Sequence, residues 1–183
     1  MNRCKWAKDE PNITYHDKEW GRPQHDDTRL FEFLILEGAQ AGLSWVTILK
    51  RRNGYRKAFS DFDVLKVSKY TQKRVGKLLQ DESIIRNKLK VNSAINNAKQ
   101  FLKVQSDFGS FDEYLWGFVN HKPIKNKFKK LSDLPAFTEI SEKLSKDLKK
   151  RGFSFVGPTI CYALMQATGM VNDHTIQCFM HGK

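Results

Sequence analysis

The chain has 183 residues and a net charge of +12, with 28% charged and 12% aromatic side chains. That length supports one domain with a real core, or two small lobes, and no Pro/Gly/Ser-rich linker divides it. No apolar signal segment and no bilayer-length apolar run is found, and the odd cysteine set Cys4, Cys161 and Cys178 favours a reducing, cytosolic setting over a disulfide framework.

Residues 28–40 are apolar on most sides, which predicts a buried central helix ended by Gly42. Ser44 is placed to cap a second helix to about Phe59, and Thr71 a short one carrying Val75, Leu78 and Leu79. Val91, Ala94, Ile95, Ala98 and Leu102 form one stripe at helical spacing between Lys90 and Val104. Ser110 and Glu113 have capping-box spacing ahead of Tyr114, Leu115 and Trp116. The stretch 121–136 is polar, basic and proline-punctuated and reads as a loop. Thr138 opens a helix to about Arg151 with Leu144 and Leu148 inward. No convincing run of strands or internal repeat is found, so the reading is all-α.

Residues 1–49 hold slightly more acid than base, so the positive excess lies after Leu49, in Lys50-Arg51-Arg52, Lys129-Lys130 and Lys149-Lys150-Arg151. Such a field attracts polyanions, phosphate backbone being the commonest, although charge alone does not separate DNA from RNA or a membrane surface. Between Gly152 and Thr159, two glycines and Pro158 describe a tight connection into an apolar helix from Ile160 to Thr168. Free amides from Gly157 onward, beside Lys150 and Arg151, suit a phosphate. Most such connections serve packing alone; the adjoining basic cluster favours the ligand reading here.

Cys4 and His16 near the start and His174 and Cys178 near the end are donors that tetrahedral zinc accepts, and a closed set of four leaves no position for water. Such a site is structural and ties the two ends together. His174 and Cys178 are one helical turn apart, but the Cys4 to His16 spacing is not a standard finger, and from spacing alone unrelated thiols and histidines are as good an account. Glu37 follows the most apolar stretch of the chain: in the buried stripe it must hold a partner or serve a ligand, whereas near the helix end it is free to be solvated. Trp6, Tyr15 and Trp20 surround the N-terminal donors and offer either a stacking slot for a planar, cationic group or ordinary packing. No phosphate-binding glycine loop or serine nucleophile elbow is present.

Four stretches carry a resemblance: Arg3-Cys4-Lys5-Trp6; Tyr15-His16-Asp17-Lys18-Glu19-Trp20-Gly21; Leu36 to Trp45, reading LEGAQAGLSW; and Lys150-Arg151-Gly152-Phe153 through Val171-Asn172-Asp173-His174. Together they resemble the DNA-3-methyladenine glycosylase I family over nearly the whole chain. The resemblance implies the helix-hairpin-helix DNA glycosylase fold in a single domain, 1–183, with the hairpin at about 138–169. It implies a structural zinc on Cys4, His16, His174 and Cys178, and excision of 3-methyladenine from alkylated double-stranded DNA by a monomer in the bacterial cytosol or nucleoid. Tyr15, Glu37, Trp45 and Trp6 match base-pocket positions, and Asn12 falls where the family often has a further tyrosine, in a segment one residue short. The hairpin around Gly157, with Thr159, matches the phosphate-gripping element, and Lys150 and Arg151 lie beside it; Leu43, in the loop before Trp45, is placed as a candidate wedge into the gap left by a flipped base.

The hairpin reads Phe155-Val156-Gly157, without the first glycine of the superfamily's pair, and Asn172 stands where that superfamily commonly has an aspartate, with Asp173 one step later. Because N3 methylation already activates the glycosidic bond, the expected enzyme is monofunctional: Trp45 and Tyr15 bound the base faces and Glu37 accepts a hydrogen bond from its edge. No lysine is marked out as a Schiff-base nucleophile. The alternatives are a non-catalytic zinc-stabilised DNA-binding protein and a zinc hydrolase, which would need an open coordination position.

Overall fold

The computed structural model describes residues 2–183. Nine α-helices are found there: α1 (Asn12–Lys18), α2 (Asp27–Gln40), α3 (Trp45–Ala58), α4 (Val64–Ser68), α5 (Gln72–Leu78), α6 (Lys88–Phe108), α7 (Phe111–Gly117), α8 (Glu139–Lys150) and α9 (Pro158–Ala167). The all-α reading holds, with one addition: β1 (Ile124–Lys125) pairs in parallel with β2 (Val171–Asn172), so the stretch 121–136 is not loop throughout. A 3-10 turn at Leu131–Asp133 lies in the same stretch.

α2 is the spine. Leu30, Phe31, Phe33, Leu34 and Leu36 are fully buried on several of its sides, so it needs neighbours all round, and it packs on α3, α6, α7 and α9. Asp26 caps it by accepting the Arg29 amide at 2.9 Å. Asp27, one residue on, reaches across the core and accepts the amides of Phe111 and Asp112 at 2.9 and 2.8 Å, which orients α7. α6 buries Val91, Ala94, Ile95 and Ala98 as expected and extends past the stripe at both ends, but Leu102 is only half-buried and Phe101 and Val104 face the core in its place; Phe101 stacks on Phe111 at 4.0 Å between ring centres.

Thr71 occupies the N-cap of α5 without a side-chain bond, and the Ser110 box closes on one side only: Ser110 accepts the Glu113 amide, while the Glu113 carboxylate faces His121. α8 and α9 are joined by the tight connection read from the sequence. Gly152 ends α8 at φ +87°, and Pro158 occupies the first turn of α9 behind Gly157. The turn itself is taken by Phe155 at φ +56°, a conformation that normally favours glycine, and its Cβ rests where α2 offers Gly38. Asn97 clamps the connection by pairing both backbone groups of Ser154 at 2.9 Å, and Ser145 donates to Val156 O.

Candidate active site

A cavity of about 360 Å³ opens among α1, α2, α3 and α9. Its size is that of a small-molecule site. α1 places Asn12 and Tyr15 on it, the last turn of α2 places Glu37 and Gln40, and the first residues of α3 place Trp45 and Val46. Trp6 and Trp20 close a second side, with Trp6 edge-on to Trp20 at 5.1 Å and Tyr15 at 5.3 Å from Trp45.

Glu37 is 4% exposed and has no hydrogen-bond partner among the described residues, although its carboxylate opens on the cavity. Burial pushes its carboxyl up to about 8, against an opposing pull from the Arg52 cation. Burial, then the charge of Glu37, raises the Tyr15 phenol well above its ordinary range. The Trp45 indole N–H is buried without a partner. A carboxyl without donors, facing aromatic rings, is built for a ligand rather than for the fold.

Beneath the cavity lies its opposite. Glu32, also on α2 and 2% exposed, accepts from Arg52 Nε at 2.8 Å and Arg56 Nε at 2.9 Å and pairs with Arg29. Arg52 also reaches Glu19 at 2.9 Å, leaving one buried nitrogen, Nη2, without a partner. Burial alone would raise Glu32, but its bonds and charge contacts with the arginines win and hold it below the usual carboxylate range.

Leu43 stands 40% exposed on the turn made by Gly42 at φ +76°, between α2 and α3. Ser44 caps α3 by accepting the Thr47 amide, which starts the helix at Trp45. Thr159 is exposed in the first turn of α9, and a Cβ added to Gly157 would meet no protein atom within 4 Å. Lys150 is exposed beside them. Arg151 is engaged within the fold: its guanidinium bonds Asp147 at 2.6 Å and lies over Phe108 and Tyr114.

Cys4, His16, His174 and Cys178 are all buried, and their ligand atoms lie within 4.8 Å of one another, so the chain's two ends form a group able to hold a metal ion. His16 Nδ1 meets Asp17 at 2.7 Å and His174 Nε2 meets the Trp20 carbonyl at 3.0 Å, which turns the other ring nitrogens toward the thiols. Backbone amides of Thr175 and Met180 donate to Cys4 Sγ and Cys178 Sγ, each at 3.4 Å. Burial pushes the Cys4 thiol up to about 11 and the His174 imidazole down to about 4. Tyr15 and His16 are neighbours on α1, so one turn of helix feeds both the cavity and this group.

Residues 6–181 match the methyladenine glycosylase family. This chain belongs to that family. It is 48% identical over 179 residues to DNA-3-methyladenine glycosylase 1 of Escherichia coli (strain K12), covering 97% of this chain and 96% of that one. A crystal structure of 3-methyladenine DNA glycosylase I superposes with a TM-score of 0.96 at 45% identity, covering 98% of this chain and all of that one. The Staphylococcus aureus enzyme, whose structure addresses 3-methyladenine recognition, also gives 0.96, at 36% identity over 100% of this chain and 98% of that chain.

In this member of the methyladenine glycosylase family the cavity has walls that sequence reasoning missed. Leu131 and Leu134 come from the basic stretch read as loop, and Ala163 and Gln166 from a helix read as packing. The only sequence signal for the first pair is two leucines three apart among lysines; α9, apolar nearly all round, gives none for Gln166.

Proposed function

We propose that the chain is a DNA-3-methyladenine glycosylase that hydrolyses the N-glycosidic bond of 3-methyladenine in alkylated double-stranded DNA, releasing the base and leaving an abasic site. The observation that carries this is Glu37, a buried carboxyl without a protein partner facing a cavity walled by Tyr15, Trp45, Trp6 and Trp20. Methylation at N3 gives the base a positive charge, so it departs neutral and needs little acid help. The protein's task is to hold the extruded nucleotide where water reaches C1′. Trp45 offers a face to the ring, Tyr15, tilted 53° to it with centres 5.3 Å apart, forms an adjoining wall rather than the opposite face expected from the sequence, Asn12 and Trp6 complete the wall, and Glu37 accepts from the base edge. As the base enters, Glu37 is the group that answers its charge, because the nearest cation, Arg52, is already spent on Glu32 and Glu19.

The basic hairpin around Gly157 and Thr159, with Lys150, is assigned to backbone phosphates, Arg151 from the same sequence cluster being held by Asp147 and Asp107 instead, and exposed Leu43 is assigned to the gap left in the stack. The chain acts as one domain, 1–183, as a monomer, where chromosomal DNA lies in the cytosol. The donor set fits zinc: bond lengths of about 2.3 Å to sulfur and about 2.0 Å to nitrogen at tetrahedral angles put sulfur and nitrogen about 3.5 Å apart. Cys178 Sγ lies 3.4 Å from His16 Nε2 and 3.5 Å from His174 Nδ1, and Cys4 Sγ lies 3.7 Å from His174 Nδ1. A bound zinc supplies a structural tie, with no open position for water, which argues against a zinc hydrolase. The test is incubation with methylated duplex DNA: free 3-methyladenine and an uncut, alkali-labile strand are expected. Binding without base release supports the non-catalytic alternative instead.

A further inference from the structure

Asp173 decides which way the Gln166 amide faces. Its carboxylate accepts from the Tyr162 hydroxyl at 2.5 Å, from Gln166 Nε2 at 2.7 Å and from Asn126 Nδ2 at 2.7 Å. A carboxylate accepts and does not donate, so the nitrogen of Gln166 must face it and the carbonyl must turn away. Gln166 Oε1 accepts nothing among the described residues, and it is not one of the sealed, partnerless atoms; it opens on the base cavity, whose wall Gln166 forms.

We infer that Gln166 is a specificity-determining residue: its carbonyl, locked by Asp173, takes a hydrogen of the exocyclic amino group of the flipped base. This deepens the base-excision reading and rests on it. Aromatic walls do not separate an amino from a keto purine, because both present a π-face. Asn12 and Gln40 also line the cavity, but no side-chain bond fixes their amides among the described residues. The Gln166 carbonyl is therefore the side-chain amide acceptor whose direction the fold settles, beside the Glu37 carboxyl, and an amino group has two hydrogens to give. A base with a keto oxygen at that position sets acceptor against acceptor, and a site built to bond an N–H rejects the analogue that lacks it.

The test titrates the full-length protein with free 3-methyladenine and with free 3-methylhypoxanthine, which carries a keto oxygen in place of the amino group. Gln166→Met keeps the length of the side chain and removes its carbonyl. It is expected to weaken 3-methyladenine binding about tenfold, the weight of one hydrogen bond, and to leave 3-methylhypoxanthine unchanged or tighter. Asp173→Asn is able to donate to Gln166 Oε1 and release the amide to turn, so it is expected to shift preference toward the keto base, a gain that misfolding does not produce. If either folded variant alters both ligands equally, or alters neither, Gln166 only packs and the inference is overturned. A wild-type protein that releases 3-methyladenine from DNA while the variants fail this pattern overturns the role of Gln166 alone. One that neither binds nor releases the base overturns the excision reading with it.

Discussion

Lys90 Nζ donates to the carbonyls of Ala39 and Ala41 at 2.7 and 2.6 Å, so a cation from the start of α6 closes the C-terminus of α2. A positive charge there meets carbonyls the helix leaves unpaired and the negative end of its dipole. The turn it steadies is the one that presents Leu43 and leads into Trp45.

Lys90→Met keeps the aliphatic stem and removes both donors. It is expected to cost about 1.5–3 kcal/mol, the range for a hydrogen bond to a charged group. Release of 3-methyladenine from duplex DNA should fall about tenfold in kcat/KM, while titration with the free base stays within about twofold, because the cavity walls are intact and only the presentation of Leu43 is loosened. Equal losses in both assays would place the lysine's role in the cavity instead.

Glu37→Gln should separate stability from activity. The folded protein holds the Glu37 proton up to about 8, whereas an unfolded chain releases it near its ordinary value of 4.5. Between those values the folded state binds more protons, so this residue costs nothing below 4.5, an increasing amount as pH rises, and its full penalty above 8. The glutamine variant should therefore melt higher than wild type at pH 9, by a margin on the order of a few kcal/mol at about 1.4 kcal/mol per pKa unit, and the margin should close on approach to pH 4.5. Its single-turnover release of 3-methyladenine should drop at least tenfold; an unchanged rate removes Glu37 from the mechanism.

Glu32 should behave in the contrary way. Arg52→Met leaves a buried carboxylate short of its best donor, and breaking a buried pair from one side costs about 3–5 kcal/mol. The double variant Arg52→Met with Glu32→Gln should recover much of that loss. Denaturant unfolding of the two single variants and the double gives the coupling directly; additive losses would mean that the pair contributes nothing of its own.

These two glutamates show how much was legible in the sequence. Both lie on α2 and both are buried, and nothing in the helical period tells them apart. Glu37 stands out in the sequence only by its place after the apolar run and by resemblance, and Glu32 was passed over. The difference lies in neighbours: Arg52 and Arg56, a helix away, satisfy one and leave the other bare. α2, α6 and α8 are readable because their apolar positions repeat over several turns. Lys90, Leu131, Leu134 and Gln166 are not, because each acquires its part from a surface brought up by a distant segment. The cysteines and histidines at the two ends were readable as donors, and only the fold brings them together.

Metal removal should act on folding before chemistry. A chelator strong enough to strip the Cys4, His16, His174 and Cys178 group leaves two buried thiols and two neutral imidazoles around a gap. The apparent melting temperature should fall, one bound zinc per chain should be lost, and activity should decline in step with folded protein. Cys178→Ala should reproduce all three effects. A stripped protein that keeps its melting temperature and loses only activity would point to metal chemistry at the glycosidic bond.

Phe155 inverts the usual order of two substitutions. At φ +56° an alanine carries the same left-handed penalty as phenylalanine, about 1–2 kcal/mol, while glycine carries none. Both variants lose the same partly buried ring; alanine keeps the Cβ that rests over Gly38 and glycine gives it up. Elsewhere alanine is the gentler change, since glycine adds freedom to the unfolded chain. Here Phe155→Gly should be more stable than Phe155→Ala by about 1 kcal/mol, and it should bind DNA with an unchanged salt dependence because the hairpin backbone keeps its path. Urea unfolding of the pair decides the matter: if alanine proves the more stable, the turn has relaxed out of the left-handed region and the hairpin does not hold Phe155 as described.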